Sequence, residues 1–548
     1  MTKKNSTGLV YDNIFPRSIG KESKKINFHD GNDLILNSQK EEIRKFAKKT
    51  NLLFFFISLV FIIFILINLL KISLNKFDLN HIYTKNDISR GQILDRNGEV
   101  LATSIKTKDL YINSKNILDK GKLLMKLKEI FPNKEILPKL NKKNKYVLLK
   151  KHLSIDEINE VKKIGDPGIV FQTSEKRIYP QHNIFSHLTG FKIDKLKSKL
   201  ENNFDSTLSL GNDLNLTVDL KVQNIVRDEL IKGLEIYNAK SALSIVMNVK
   251  NGDILSMVSL PDFDPNFPKT IQDFTENNLV TEARYEMGST LKMFNAALAF
   301  ELKSNLIGKN FDISQGYQLT NKSTISDGHI NLDEINFDQA FIHSSNIASI
   351  KIIEEIGVAK QRQLFKKIGL IDNPNVNGLN VVSNKGPRIW NDTYSKSMSY
   401  GYGISLSPIS LVSSFATLVN GGIIVTPNII KTKLNGNMKR VLSNETSKQI
   451  NILLEKVVKN GTGKTATVSG LKLGGKTGTS KKVENGQYSE KKVITSFIGV
   501  FPIDNPNFLT FVLFDEPQRN NGLSLESFGS NTAAPTFSKI VSIALFKT

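Results

Sequence analysis

The longest apolar run in the chain lies near its N-terminus, at residues 52–67, with the sequence LLFFFISLVFIIFILI. Ser58 is the single polar residue within this run. A bilayer core is spanned by about 20 apolar residues in a helix, so the run predicts a transmembrane helix over residues 49–72. A cleaved signal peptide does not fit, because 51 residues precede the run and no small-residue cleavage site follows it.

Two pairs of β-rich segments further along the chain predict hairpins. The first pair is SALSIVMNV and ILSMVSL within residues 240–260, joined across Asn251-Gly252, a strong turn signal. The second pair is VITSFIGVF and FLTFVLF, joined by PIDNPN. Residues 289–302, STLKMFNAALAFEL, predict a helix that is apolar almost all round and therefore buried. Together these elements predict an α/β fold with a largely antiparallel sheet flanked by helices.

The same patterns divide the 548 residues into four parts. Residues 1–48 are polar and Lys-rich, which is typical of a flexible tail. The transmembrane helix is expected over residues 49–72, and a polar linker is expected over residues 73–88. A boundary is expected near Leu208–Lys221, where the strand-like LNLTVD precedes LKVQNIVRDELIKGLEIY, which has helical spacing. We therefore expect one unit over 73–222 and another over 223–548.

The charge pattern orients the predicted membrane helix. Arg44, Lys45, Lys48 and Lys49 crowd its N-terminal side, so the positive-inside rule places the N-terminus in the cytoplasm and the large body outside. The formal net charge is +22. The basic residues are dispersed and no nucleic-acid-reading motif occurs, so an anionic membrane or cell-wall polymer is favoured over nucleic acid. The absence of Cys excludes disulfides and thiolate catalysis.

Three short motifs suggest nucleophilic catalysis. In Ser289-Thr290-Leu291-Lys292, a helix would place Ser289 and Lys292 on one face, where the amine could remove the proton of the hydroxyl. Alone the motif is weak, since four other Ser-x-x-Lys matches occur and any one could be a structural helix segment.

The second motif, Ser344-Ser345-Asn346, offers a hydroxyl for proton relay and an amide for substrate binding, although an isolated tripeptide of this kind is more typical of a helix cap. The third is Lys476-Thr477-Gly478-Thr479, whose cation and hydroxyls suit a carboxylate, although it could also be a simple glycine-containing edge strand.

The three motifs in this order, with spacings of 55 and 132 positions, resemble the signature set of penicillin-recognising enzymes. The surrounding sequence is similar to class B penicillin-binding proteins. SRGQILDRNGEVLATS at 89–104 and KRIYPQHNIFSHLTGF at 176–191 resemble the N-terminal pedestal, or dimerisation-type, domain of that family. LPDFDPN at 260–266, SYGYGISLSPISL at 399–411 and GGKTGTSKK at 474–482 resemble its transpeptidase domain. Residues 73–222 lack the acidic signature of the glycosyltransferase found in class A relatives.

The resemblance implies a peptidoglycan D,D-transpeptidase that needs no metal and no cofactor. Ser289 would be the nucleophile, Lys292 the general base, and Ser344 and Lys476 would pass a proton to the leaving D-Ala. Asn346 would bind the substrate amide. The terminal carboxylate would be bound by Thr477, Gly478 and Thr479. The oxyanion hole would be formed by the backbone N–H groups of Ser289 and Thr479.

The resemblance also implies partners and a cellular role. The partners would be peptidoglycan stem peptides, β-lactams as covalent inhibitors, the bacterial inner membrane, and a glycan polymerase of the FtsW type with other division proteins. The basic tail, YEMGSTLK at 285–292 and the SYGYGIS segment favour the division type (FtsI type) over the elongation type. A membrane-bound β-lactamase, a penicillin sensor or a non-catalytic scaffold remain as rival interpretations.

Two positions depart from the common pattern of the family. Met287-Gly288 stands before the serine where many relatives have Pro-Gly, and Ser480 follows KTGT where Ala is common. Neither departure removes a reacting group, so we expect effects on pocket shape rather than on activity. The histidines, including His182, His187 and His343, show no metal-ligand spacing and are interpreted as structural.

Overall fold

The computed structural model of the protein describes residues 32–74, 89–140, 146–193, 196–302, 305–321, 323–372, 376, 378–431, 439–518 and 528–547. The chain divides into two compact units, Met1–Lys85 and Asn86–Thr548. The predicted tail over residues 1–31 and most of the predicted linker lie outside the described residues.

Helix α1 of the first unit spans Asn32–Leu74. Its stretch Arg44–Asn68 is long and apolar enough to cross a membrane. The transmembrane span predicted over residues 49–72 lies inside this helix, which also includes residues 32–48 of the predicted tail. The reason is local: NSQKEEIRKFAKK consists largely of good helix formers and contains no Pro or Gly that would end the helix.

The N-terminal part of the second unit is built around a five-stranded sheet with the order β3-β2-β1-β7, in which β4 also pairs with β2. The pairings of β2 are antiparallel, whereas β1 and β7 are parallel. A small core between this sheet and α2 and α4 contains Leu110, Leu123, Leu127 and Val161. The strands are β1 Ile93–Leu94, β2 Val100–Ile112, β3 Val147–Leu153, β4 Ile169–Ile178, β5 Lys192–Ile193, β6 Leu196–Lys197 and β7 Leu214–Asn215; the helices are α2 Lys120–Ile130, α3 Leu137–Leu140, α4 Ile155–Ile164, α5 Ser186–Thr189, α6 Lys199–Asn203 and α7 Asp205–Ser209, with a 3₁₀ turn at His182–Phe185.

The C-terminal part contains the second five-stranded sheet, which is antiparallel throughout and has the order β14-β15-β16-β8-β9. Both predicted hairpins are confirmed as β8–β9 and β15–β16. The strands are β8 Ser241–Asn248, β9 Ile254–Leu260, β14 Gly474–Glu484, β15 Gln487–Phe501 and β16 Phe508–Asp515, and the short strands β10 Asn310–Asp312, β11 Tyr317–Thr320, β12 Ser323–Ile325 and β13 Glu334–Asn336 form two further ribbons.

Side chains alternate between the two faces of this sheet, because successive residues of a strand point in opposite directions. Along β16, Phe511 and Leu513 enter the larger core, whereas Val512 and Phe514 enter a second core. Helices cover both faces, which confirms the predicted α/β arrangement. The helices are α8 Leu220–Tyr237, α9 Asp273–Glu276, α10 Leu279–Glu282, α11 Lys292–Glu301, α12 Phe337–Ile342, α13 Asn346–Ile356, α14 Val358–Lys367, α15 Asp392–Ser399, α16 Pro408–Val419, α17 Asn444–Asn460 and α18 Ala533–Lys547, with 3₁₀ turns at Pro268–Thr270, Gly288–Leu291, Asn305–Gly308 and Lys464–Ala466.

One predicted helix differs from its expected bounds, and another begins where the sequence predicts. The helix expected over 289–302 begins as the 3₁₀ turn Gly288–Leu291 and continues as α11, all but the last two residues of which are buried. The helix α8 begins at Leu220, as its sequence pattern predicts. The proposed boundary between 222 and 223 falls inside the second compact unit and stays a prediction.

Candidate active site

The three motifs meet at one cavity of about 670 Å³. Its wall is formed by the 3₁₀ turn before α11, the start of α13 and strand β14. This strand lies at one edge of the antiparallel sheet β14-β15-β16-β8-β9. The lining residues include Ser289, Ser344, Asn346, Thr477 and Thr479 of the predicted set; the others are His329, Tyr400, Tyr402, Thr462, Lys481, Lys491, Val493, Pro517, Phe528, Gly529 and Ser530. Lys292 and Lys476 lie behind this wall and are fully buried.

Ser289 is held on a tightly packed turn. The preceding Gly288 has a φ of +54°, and a Cβ there would lie 2.3 Å from the carbonyl oxygen of Thr479 on β14. Gly401 packs on the other side, where a Cβ would lie 1.9 Å from the carbonyl oxygen of Gly288. Glycine alone permits both the left-handed backbone and this close approach. The turn therefore sets the half-buried Ser289 against β14.

Lys292 begins α11, and its Nζ donates hydrogen bonds to the second motif. The acceptors are the carbonyl oxygen of Ser344, Ser344 Oγ at 3.2 Å and Asn346 Oδ1 at 2.8 Å. The amine was expected to reach the hydroxyl of Ser289, but the described hydrogen bonds of Lys292 Nζ go to Ser344 and Asn346 instead. The first motif thus contacts the second through both Ser344 and Asn346.

Lys476 of β14 completes the polar cluster. Its Nζ donates to Ser344 Oγ at 2.9 Å and to the carbonyl oxygen of Thr477 at 3.3 Å. Both lysines therefore share one hydroxyl. Ser344 itself has a φ of +61°, a conformation that costs a residue with a side chain about 1–2 kcal/mol.

Burial strongly perturbs both lysines, because removing an ammonium from water disfavours its charged form. It lowers the pKa of Lys292 to about 7, and the Asp327 carboxylate partly opposes this effect. The pKa of Lys476 lies well below its usual range, first because of burial and then because of repulsion by Lys292. Perturbed groups of this kind in a cleft are typical of catalytic sites.

The remaining residues of the third motif lie along the same strand. Thr477 Oγ1 is 2.8 Å from Thr462 Oγ1, and Thr479 Oγ1 accepts a hydrogen bond from Gly529 N at 3.1 Å. Gly478 packs so closely that a Cβ would lie 2.8 Å from the carbonyl oxygen of Met287. The unusual Ser480 is accommodated, since its Oγ donates to the carbonyl oxygen of Glu286 at 2.6 Å.

Sequence reasoning missed several residues of the site. The most important is Asp327, which is 5% exposed and contacts the start of α13. Thr462 and Phe528 also went unnoticed, although both line the cavity. No periodic or motif signal marks these positions, because they reach the site from loops that are distant in sequence.

The histidines contact protein groups. His187 is buried, and burial lowers its pKa to about 4. His182 Nδ1 lies 2.8 Å from a carboxylate oxygen of Asp264. His329 lines the cavity with its Nε2 3.2 Å from the carbonyl oxygen of His343.

Comparison with known families identifies two regions. Residues 242–542 match the family described as the penicillin binding protein transpeptidase domain, and residues 85–213 match the penicillin-binding protein dimerisation domain. The first match covers more than half of the chain. The second covers the region that contains strands β2, β3 and β4.

Several curated proteins are similar over most of their length. A probable peptidoglycan D,D-transpeptidase FtsI from Caulobacter vibrioides is 31% identical over 474 residues, covering 83% of this chain and 80% of the relative. A probable peptidoglycan D,D-transpeptidase PenA from Neisseria gonorrhoeae is 28% identical, covering 83% of each chain. The stage V sporulation protein D of Bacillus subtilis is 29% identical, covering 82% of this chain and 77% of the relative.

A solved structure supports the fold. A protein from Atopobium parvulum, assigned as a peptidoglycan glycosyltransferase, superimposes with a TM-score of 0.65 over 84% of this chain and 98% of its own. Their sequence identity is 20%, so this likeness bears on the fold alone.

Proposed function

This chain belongs to the class B penicillin-binding proteins, and we propose that it cross-links peptidoglycan as a serine-type D,D-transpeptidase. The observation that carries the proposal is the convergence of the three motifs at one cavity, with Ser289 on its wall and two buried lysines joined through Ser344. The names of the FtsI and PenA relatives support the same reaction.

In the proposed first step, Ser289 Oγ attacks the carbonyl carbon of the penultimate D-Ala of a stem peptide. Lys292 accepts the hydroxyl proton, which requires its free amine. Burial makes this form accessible near neutral pH, because it lowers the pKa of Lys292 to about 7. The backbone N–H groups of Ser289 and Thr479 would stabilise the negative oxygen of the tetrahedral intermediate.

Collapse of that intermediate breaks the amide bond and releases the terminal D-Ala. Ser344 and Lys476 deliver a proton to the leaving amine, a role consistent with their 2.9 Å hydrogen bond. Asn346 binds the substrate amide, and Thr477, Gly478 and Thr479 hold the terminal carboxylate along β14. An amine of a second stem peptide then attacks the Ser289 ester, which forms the cross-link and frees the serine.

Labelled penicillin tests this proposal directly. We expect a stable adduct on Ser289, identified by mass spectrometry, and no adduct in the Ser289→Ala variant. An adduct at another position, or one that persists in the variant, would contradict the assignment of the nucleophile. Rapid loss of the label from Ser289 would instead indicate a β-lactamase, because a transpeptidase keeps its penicillin ester until an amine acceptor arrives.

We further propose that the protein acts at the division septum, with the N-terminus in the cytoplasm and residues 73–222 and 223–548 outside as pedestal and transpeptidase domains. The similarity to the FtsI relative and the four basic residues before the apolar stretch support this placement. A transpeptidase without its own polymerase needs nascent glycan close by, so the proposed partner is a membrane glycan polymerase of the FtsW type.

Replacing residues 51–72 by an unrelated single-pass helix of the same orientation tests the coupling. We expect weaker septal localisation and weaker co-purification with the polymerase, whereas penicillin labelling should be retained. If localisation and co-purification both stay unchanged, the helix is only an anchor. Labelling along the lateral wall in wild-type cells would favour the elongation role.

A further inference from the structure

A buried carboxylate outside the three motifs contacts the second of them. Asp327 lies in the loop between β12 and β13 and is 5% exposed. Its Oδ1 accepts a hydrogen bond from Asn346 N at 2.7 Å, and its Oδ2 accepts from Ile347 N at 3.1 Å and Ser345 Oγ at 2.5 Å. Three donors at the start of α13 thus converge on one side chain.

Two of these donors, Asn346 N and Ile347 N, are backbone groups that a helix start leaves unpaired. The first backbone N–H groups of a helix have no partner within it, and α13 begins at Asn346 with Ser345 as its N-cap. Ser345 Oγ accepts from Ala348 N at 2.9 Å while it donates to Asp327. The carboxylate is also favourably placed for the positive end of the helix dipole.

The same contacts determine where the reacting groups lie. Ser344, which bonds both lysines, directly precedes the cap and has the left-handed φ of +61°. Such a conformation persists where the surrounding structure enforces it. Asn346, whose Oδ1 accepts from Lys292, has its own N–H fixed by Asp327.

We propose that Asp327 is the positioning residue of the Ser344-Ser345-Asn346 motif, holding Ser344 and Asn346 at the distances that the reaction requires. This proposal rests on the roles assigned to those two residues above. Asp327 is not one of the residues that line the cavity, and it acts through the first turn of α13.

Asp327 has a second effect through its charge. The charged side chains at this cluster, among the described residues, are Lys292 on α11, Lys476 on β14 and Asp327. The Asp327 carboxylate raises the pKa of Lys292 against the larger lowering by burial. Removing this negative charge should therefore lower the pKa of Lys292 and favour its free amine at more acidic pH.

The Asp327→Asn variant should show both effects, each in its own readout. An amide NH₂ cannot accept a hydrogen bond, so whichever oxygen it replaces, at least one N–H at the start of α13 loses its partner. We expect the maximal rate of penicillin acylation to fall by about 10- to 100-fold. This is the rate change that corresponds to the free-energy cost of leaving one buried donor without an acceptor. The pH of half-maximal rate should also move downward.

Two further variants complete the test. Ser345→Ala keeps the charge of Asp327 but removes the bridging hydroxyl, so its maximal rate should fall without a shift in the pH profile. Asp333→Asn removes an exposed carboxylate of the same loop and should change neither quantity. Active-site titration with labelled penicillin and a thermal melt establish the folded fraction of each variant.

The proposal is overturned if folded Asp327→Asn protein is acylated with the wild-type rate and pH profile. It is also overturned if the variant only lowers the titratable fraction while the reacting molecules keep the wild-type rate constant, since that result assigns Asp327 to stability alone. Absence of a Ser289 adduct in the wild-type protein would instead refute the proposed function, so the two failures are distinguishable.

Discussion

Lowering the pH should stop acylation of Ser289 by protonating Lys292. Burial lowers the pKa of this lysine to about 7. Below that pH the side chain is an ammonium and cannot accept the proton of the serine. Above it the free amine predominates, so the acylation rate should rise through neutral pH and then level off.

The expected magnitude follows from the fraction of free amine. With a pKa of about 7, roughly half of the Lys292 side chains are free at pH 7 and roughly 1% at pH 5, which predicts an about 50-fold slower reaction at pH 5. A lysine with the usual pKa of about 10.4 would be free in fewer than about 1 in 1,000 molecules at pH 7, and its rate would still rise about tenfold per pH unit up to pH 9.

The assay is the second-order rate constant for acylation by a fluorescent penicillin between pH 5 and 9 at constant ionic strength. The Lys292→Ala variant should be about 10² to 10⁴ times slower, with little change in the initial binding affinity, because a general base acts in the transition state. Lys309→Ala is the matched control, since Lys309 is an exposed lysine paired with Glu355 at the surface.

Two results would refute this reasoning. A wild-type rate that climbs tenfold per unit up to pH 9 would mean that the reacting lysine has an ordinary pKa. A step near pH 7 that survives in Lys292→Ala would assign the titration to another group, and Lys476 would be the first candidate because its pKa is also depressed.

Three further predictions concern the scaffold. Glu201→Gln should lower the free energy of unfolding by about 3–5 kcal/mol in denaturant titrations, because Glu201 pairs with two buried arginines. The exposed control Glu160→Gln should lower it by less than about 1 kcal/mol. Similar losses in both variants would contradict the argument. Gly401→Ala should slow penicillin acylation more than about tenfold, because its Cβ would collide with the turn that carries Ser289. Gly308→Ala is the control, since its Cβ would meet open space. Equal acylation rates in the two variants would refute the steric explanation. Residues 86–548 should remain soluble and react with penicillin without the membrane helix, and an aggregated or unreactive fragment would show that the second unit depends on the first.

The sheet was predictable because its signals are local. The Asn251-Gly252 turn between two β-rich segments predicts β8 and β9, and these strands pair antiparallel. The same reasoning identified β15 and β16 across the connection PIDNPN. The bounds were less accurate where no local stop signal exists: β15 begins at Gln487, before the predicted segment, and α1 extends back to Asn32.

The candidate site was predictable only as far as motifs extend. The three motifs supplied part of the cavity lining, namely Ser289, Ser344, Asn346, Thr477 and Thr479. Their sequence order could not show that Lys292 bonds Ser344 rather than Ser289. Asp327 carried no signal, because a lone Asp in a polar loop is ordinary in sequence and its contacts with α13 arise only in the folded chain. Tertiary contacts therefore decide the finer chemistry of the site.

The geometry around Ser344 limits how protons can be distributed between the two lysines. Burying two ammonium groups that contact one hydroxyl is unfavourable, since each charge raises the cost of the other. A hydroxyl has one proton to donate and lone pairs to accept, so Ser344 Oγ can accept from a charged lysine while it donates to a neutral one. With Nζ–Oγ distances of 3.2 Å to Lys292 and 2.9 Å to Lys476, the cluster favours a singly protonated pair. Such a pair holds one free amine and one ammonium at the same time, and Ser344 lies on the proton path between them.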